Sequence, residues 1–136
     1  MERKEFLKNA CALCGLTAAA GFLASCKKEG ASQQPTANFT VDLTDPANAD
    51  VTIVGKAILI NDVYVVNKDG SNFIAVSSIC THQGCVNDFQ SVAAGFTCPC
   101  HSASFTINGI VTGGPASVNL KTYSVTRSGN VLTVAG

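Results

Sequence analysis

The stretch VYVVNKDGSNFIAVSSICTHQGC, residues 63–85, decides the fold. Its first five residues are a β-branched and aromatic run, the composition of a strand. Lys68-Asp69-Gly70-Ser71 is a hairpin turn signal, and NFIAVSS (72–78) is a second strand that returns along the first. The pair then runs directly into a loop of cysteine, histidine and glycine. Upstream, FTVDL (39–43) alternates, and VTIV (51–54) and AILIN (57–61) are further β-branched runs. Downstream, Asn108-Gly109 separates SFTI (104–107) from IVT (110–112), and Ser128-Gly129-Asn130 separates KTYSVTR (121–127) from VLTV (131–134). The segments are short and turns are frequent. Residues 39–136 are therefore expected to form one all-β domain of several small antiparallel sheets.

Composition supports this and removes other classes. Of 136 residues, 46% are hydrophobic and 13% charged, too apolar a chain for disorder. Nine basic residues balance nine acidic ones, so no charge excess points to nucleic acid. Seven cysteines fall in two groups: Cys11, Cys14 and Cys26 near the start, then Cys80, Cys85, Cys98 and Cys100. The chain's two histidines, His82 and His101, both lie inside the second group.

That second group occupies two loops, Cys80-Thr81-His82-Gln83-Gly84-Cys85 and Cys98-Pro99-Cys100-His101-Ser102-Ala103-Ser104. Each follows an expected strand and contains Gly or Pro, so tight turns can aim several side chains at one point. Three readings compete on the residues alone. A structural zinc site would use two Cys and two His, but C-x-H is an unusual ligand spacing and two cysteines stay idle. Two structural disulfides would suit an exported protein but give the histidines no reason to be there. A [2Fe–2S] centre with mixed ligands would take one Cys and one His from each loop and leave one Cys per loop to cross-link them.

C-T-H-x-G-C followed after 12 residues by C-P-C-H resembles the two-box signature of the disulfide-containing Rieske iron–sulfur proteins. The resemblance covers roughly residues 72–120. It implies a Rieske-like fold with a two-loop cluster-binding subdomain. It implies that Cys80 and Cys98 hold one iron and His82 and His101 the other, and that Cys85 and Cys100 form a disulfide. With two ferric irons, two sulfides and two thiolates the oxidised cluster is neutral, which lifts its potential well above that of all-cysteine clusters. Gly113-Gly114-Pro115-Ala116 resembles the family's proline-containing loop, so Gly114 and Pro115 are expected to cover the cluster.

Some positions depart from the family's high-potential members, which read C-P-C-H-G-S-x-Y. Here Ser102, Ala103, Ser104 and Phe105 stand at the last four positions. Ala103 and Phe105 each lack a hydroxyl that would stabilise the reduced cluster, which implies a low or intermediate potential. Gln83 stands where quinol-oxidising relatives have Leu, a polar residue ill-suited to an apolar quinol pocket.

The N-terminus carries an address. Residues 2–9 contain Arg3, Lys4 and Lys8, and residues 10–25 are apolar and uncharged, the pattern of a signal peptide. Sixteen apolar residues are short for a membrane span, which needs roughly 20. Leu23-Ala24-Ser25-Cys26 resembles a bacterial lipobox, which implies lipidation of Cys26 after removal of residues 1–25. Arg3-Lys4-Glu5-Phe6-Leu7-Lys8 resembles the twin-arginine export motif, with Lys4 departing from its second arginine. Residues 26–38 are polar and aperiodic, read as a lipid-anchored flexible tether.

The expected function is one-electron transfer between a redox donor and acceptor on the extracytoplasmic side of a membrane, with no catalytic residue and no nucleic acid partner. The competing readings are the Rieske subunit of a quinol-oxidising cytochrome bc-type complex, the small subunit of an oxidoreductase such as arsenite oxidase and, more remotely, a structural zinc domain. A Rieske oxygenase would need two further histidines for its mononuclear iron, and the chain has none.

Overall fold

A computed structural model describes residues 33–136. The expected signal peptide, the lipobox with Cys26, and most of the tether lie outside the described residues. Ten strands follow in chain order: β1 (Asn38–Asp42), β2 (Ala57–Ile60), β3 (Val63–Asn67), β4 (Phe73–Ser77), β5 (Asp88–Ser91), β6 (Gly95–Thr97), β7 (Ser104–Phe105), β8 (Val111–Gly113), β9 (Thr122–Ser128) and β10 (Val131–Ala135). One 3-10 helix spans Pro46–Thr52. The all-β expectation holds. Among the described residues no helix is long and apolar enough to cross a membrane.

The strands form two antiparallel sheets. The larger runs β1-β10-β9-β4-β3-β2 and the smaller β5-β6-β7-β8. Only two residue pairs, Ala75 with Tyr123 and Val76 with Thr122, join β4 to β9. The larger sheet is thus two three-stranded halves linked at a narrow seam. Val41, Leu132, Val134 and Tyr123 from one half share a core with Val63, Val65 and Ala75 from the other.

The run VYVV is apolar without interruption because β3 is covered on both faces. Val63 and Val65 point into that first core, while Val66 and Tyr64 pack into a second core with Phe96, Phe105 and Leu120 of the smaller subdomain. A half-solvated strand would alternate instead. Tyr64 bridges the two sheets: its ring lies 5.3 Å from Phe96 and 6.3 Å from Phe89, and its hydroxyl donates to the carbonyl of Asn87 at 3.0 Å.

Two expectations need correction. VTIV (51–54) is not a strand. Asp45 caps the 3-10 helix by accepting from the amide of Ala47 at 2.9 Å, and Pro46 opens it. These start signals override the β-branched residues. Val51 is buried within the helix and Ile53 and Val54 are left exposed. The end of the expected tether is likewise not free. Ala37 is buried, and it exchanges amide–carbonyl hydrogen bonds with Gly136 at 2.8 and 2.9 Å. The carbonyl of Pro35 accepts from the hydroxyl of Tyr123 at 2.6 Å and from Lys121 Nζ at 3.3 Å, and Gln34 Nε2 donates to the carbonyl of Ile79 at 3.1 Å. The segment is held because Ile79, Lys121, Tyr123 and Gly136 offer it hydrogen-bond partners.

Candidate metal centre

The two chemistry-bearing loops emerge where the sheets meet. The first leaves the end of β4, with Ile79 bridged to Val86 across its base. The second lies between β6 and β7. Both are closed by the same turn. The amide of Cys80 donates to the carbonyl of Cys85 at 2.7 Å, and the amide of Gly84 donates back to the carbonyl of Cys80 at 2.9 Å. In the second loop Cys98 donates to Ala103 at 2.7 Å, and Ser102 donates back to Cys98 at 3.0 Å. The fifth residue of each turn has a left-handed backbone, φ +77° at Gly84 and +61° at Ser102.

This repeated turn turns each leading cysteine inward. Cys80 and Cys98 are both free and buried. Burial pushes the Cys80 thiol above its ordinary range, opposed by the backbone amide of His82, and the neighbouring Cys98 thiol raises it further. The amides of His82 and Gln83 thus point at the Cys80 sulfur, where they would favour a thiolate. The other two cysteines are joined: Cys85–Cys100 is a disulfide with S–S 2.02 Å and Cα–Cα 6.5 Å. The Sγ atoms of Cys85, Cys98 and Cys100 lie within 4.8 Å of one another, so the bridge passes close beside a free thiol. The disulfide consumes two of those three sulfurs as ligands.

His82 and His101 face each other edge to face, ring centroids 4.8 Å apart. His82 is half-buried and His101 exposed. His82 Nδ1 is buried and finds no hydrogen-bond partner among the described residues. A buried nitrogen without a partner costs free energy unless something binds it. That atom, the paired rings and the two buried thiols make a donor set of two imidazoles and two sulfurs, which fits a mixed-ligand iron–sulfur cluster. Pairing Cys85 with Cys100 removes the reading in which all four cysteines are disulfide-bonded to structural ends.

A third loop lies against these two. Gly114 has φ +82°, and a Cβ there would stand 2.4 Å from Ala103 Cα. Only glycine lets the loop approach the second turn so closely. Pro115 follows and is exposed. Thr81, buried between the histidine and cysteine of the first loop, donates from Oγ1 to the carbonyl of Val118 at 2.6 Å. The motif reading gave Thr81 no task; a hydroxyl inside a motif does not reveal a partner 37 residues away. Ala103 and Phe105 are fully buried, Phe105 in the second core.

Comparison with known proteins agrees with this geometry. Residues 38–124 match the family model for the Rieske [2Fe-2S] domain. The chain is 43% identical over 82 residues to the cytochrome b6-f complex iron-sulfur subunit of Chlorobaculum tepidum, covering 59% of this chain and 45% of that protein. It is 33% identical over 100 residues to the corresponding subunit of Chlorobaculum thiosulfatiphilum, covering 65% of this chain and 55% of that one. The chain thus spans about half the length of these curated relatives. Among solved structures it is similar to the plasma membrane Rieske protein of Synechocystis PCC 6803, with 32% identity and TM-score 0.55 over 71% of this chain and 99% of that one.

Proposed function

The chain belongs to the Rieske [2Fe–2S] family, and from that premise we propose that it is a one-electron carrier anchored on the extracytoplasmic side of a membrane. When bound, the [2Fe–2S] cluster supplies reversible one-electron chemistry. The observation that carries the reading is that two loops joined by a disulfide bring together a pair of histidine rings, one with a buried orphan nitrogen, and each supply a buried free thiol. Cys80 and Cys98 hold one side of the cluster and His82 and His101 the other. The Cys85–Cys100 bridge ties the two loops together so that neither can open alone. Gly114 and Pro115 close over the second turn, and Thr81 fixes the far end of the same loop. Burial of Cys80 and Cys98 keeps water off the sulfur side, while the exposed His101 edge is the point of electron entry and exit. No group on the chain is assigned a catalytic step.

Lipidation at Cys26 supplies the anchor, and redox proteins on the same membrane serve as donor and acceptor. Two acyl chains or more on one residue hold stably where a single chain does not. A Cys26→Ser variant is expected to move the protein from the membrane pellet to the soluble fraction; retention in the pellet after a carbonate wash would count against the lipid anchor.

A second reading is a subunit of a quinol-oxidising complex, favoured by the names of the relatives above. Gln83, Ala103 and Phe105 weigh against it, because they favour neither an apolar quinol pocket nor a high potential. A redox titration followed by EPR separates the two. The carrier reading expects a rhombic Rieske signal with a midpoint in the lower half of the family span of about −150 to +300 mV. A midpoint near the top of that span would return the quinol-oxidising reading. Zinc in place of iron, with no signal, would overturn both.

A further inference from the structure

The four loop cysteines do not divide cleanly into two ligands and a bridge. The sulfur of Cys98 lies within 4.8 Å of both sulfurs of the Cys85–Cys100 disulfide, and Cys80 is not one of these three. The turn that carries Cys98 and Cys100 is closed by two backbone hydrogen bonds, Cys98 to Ala103 and Ser102 back to Cys98. Its backbone is fixed, so the three sulfurs stay neighbours. A free thiol beside a disulfide is the reactant pair of thiol–disulfide exchange.

The chain decides which sulfur is attacked. Pro99 alone separates Cys98 from Cys100, and its ring locks φ. A bridge between those two would close over one stiff residue, which suits disulfide geometry poorly. Cys85 lies on the other loop, 13 residues before Cys98 and 15 before Cys100. A bridge from Cys85 to either partner ties the same two loops and constrains the unfolded chain about equally, because loop entropy follows the logarithm of length. The two bridges differ in exposure: Cys98 is buried and Cys100 exposed. Exchange therefore moves the bridge inward and brings the free thiol to the surface.

We propose that the folded chain, when it holds no cluster, isomerises to a Cys85–Cys98 disulfide with a free thiol at Cys100. The bond between the sulfurs of Cys98 and Cys85 forms as the bond from Cys85 to Cys100 breaks. The electron pair leaves on Cys100, which takes up one proton for the one that Cys98 releases. The step needs no oxidant and no reductant. The isomer has spent the thiol that the second loop would give to iron, so a cluster can enter only after the reverse exchange. A bound cluster holds Cys98 and so keeps the bridge on Cys100; this last point rests on the ligand assignment above.

The test uses the full-length chain with Cys11→Ser, Cys14→Ser and Cys26→Ser, so that only the loop sulfurs count. The chain, with cluster and Cys85–Cys100 bridge in place, is stripped of iron by a chelator under argon, and near-UV circular dichroism checks that it stays folded. Samples are quenched in acid at intervals. Free thiols receive one alkyl tag, the remaining cysteines are reduced and receive a second, and peptide fragmentation places each tag. The first tag should begin on Cys80 and Cys98 and pass from Cys98 to Cys100 over minutes to hours. Its share at Cys100 should rise at least about tenfold over that in cluster-loaded chain kept for the same time. Cys80→Ser should leave the shift intact, and Cys98→Ser and Cys98→Ala should each abolish it.

A first tag still confined to Cys80 and Cys98 after about a day would overturn the exchange. A first tag on Cys85 would overturn the choice of attacked sulfur. Loss of the first tag from both Cys80 and Cys98 would mean that these two had joined each other, a two-electron oxidation, and would overturn the proposal as well. A first tag on Cys98 in the cluster-loaded chain would overturn the ligand assignment alone.

Discussion

Ser102 occupies the left-handed position that Gly84 fills in the sister turn, with φ +61° against +77°. A side chain there is strained by about 1–2 kcal/mol, and part of that is offset by the freedom glycine loses on folding. Ser102→Gly is therefore expected to raise stability by about 0.5–1 kcal/mol in denaturant unfolding. Gly114→Ala should do the reverse. Its Cβ would meet backbone of Ala103 and Ser102 at 2.4–2.7 Å, and neither side can yield cheaply. We expect a loss of at least about 2 kcal/mol, together with faster bleaching of the cluster's visible absorption. Ala103→Ser and Phe105→Tyr restore hydroxyls and should each move the midpoint upward in a redox titration; no shift in either would remove these positions from the control of potential. The chemistry-bearing residues were legible in the sequence because Cys and His are rare, and here they crowd into two short boxes. Thr81 was not, since its role depends on a carbonyl supplied by a distant loop.

At the scale of elements, β3 shows how one strand serves two cores. Tyr64 on its outer face ties the smaller sheet to the larger. Tyr64→Phe keeps the ring and loses the hydrogen bond to Asn87, at a cost of about 1 kcal/mol. Tyr64→Ala loses the ring packing as well and should cost about 3 kcal/mol. Comparable losses in the two variants would mean that the ring contacts contribute little. Two exposed turns carry the acid sensitivity. Asp69 accepts from the Asn72 side chain and from the amides of Asn72 and Ser71, and these bonds hold its carboxyl below the usual range. Thr44 does the same for Asp42 through its hydroxyl and amide. As pH falls below the usual carboxylate value of 3.8, the unfolded chain takes up these protons first. Stability from the two turns is present above that value and fades below it, as urea midpoints measured across pH 2–5 would register; Asp69→Asn should flatten part of that slope. The hairpin at residues 68–71 is readable from its Lys-Asp-Gly-Ser, whereas the turn at Asn61 and Asp62, both with positive φ, carries no glycine to mark it. VTIV misled because a run of β-branched residues says nothing of the capping aspartate and proline that precede it. A strand is expected before Cys98 but the bounds of β5 and β6 are not legible, because DFQS and GFT are short and mixed in polarity, and they are strands only through the partners they pair with.

In the molecule as a whole, the larger sheet is stabilised by one core and the cluster-bearing subdomain by another, and the disulfide is the covalent link within the second. It closes a loop of sequence separation 15, for which constraint of the unfolded chain is worth about 3 kcal/mol. Reduction should therefore lower the thermal midpoint and loosen the site before the larger sheet melts, a sequence that near-UV circular dichroism and cluster absorbance can separate. The sequence pattern foretold an all-β chain with frequent turns. It could not foretell that the strands would sort into two halves joined at two residue pairs, because pairing between β4 and β9 depends on residues nearly fifty positions apart. Ala37 and Gly136 meet in a reciprocal pair of backbone hydrogen bonds, so these two points of the chain lie side by side. A host protein could receive residues 34–136 as an insert in a surface hairpin, its two splice joints side by side, and so acquire a plug-in redox module without its own backbone being forced apart.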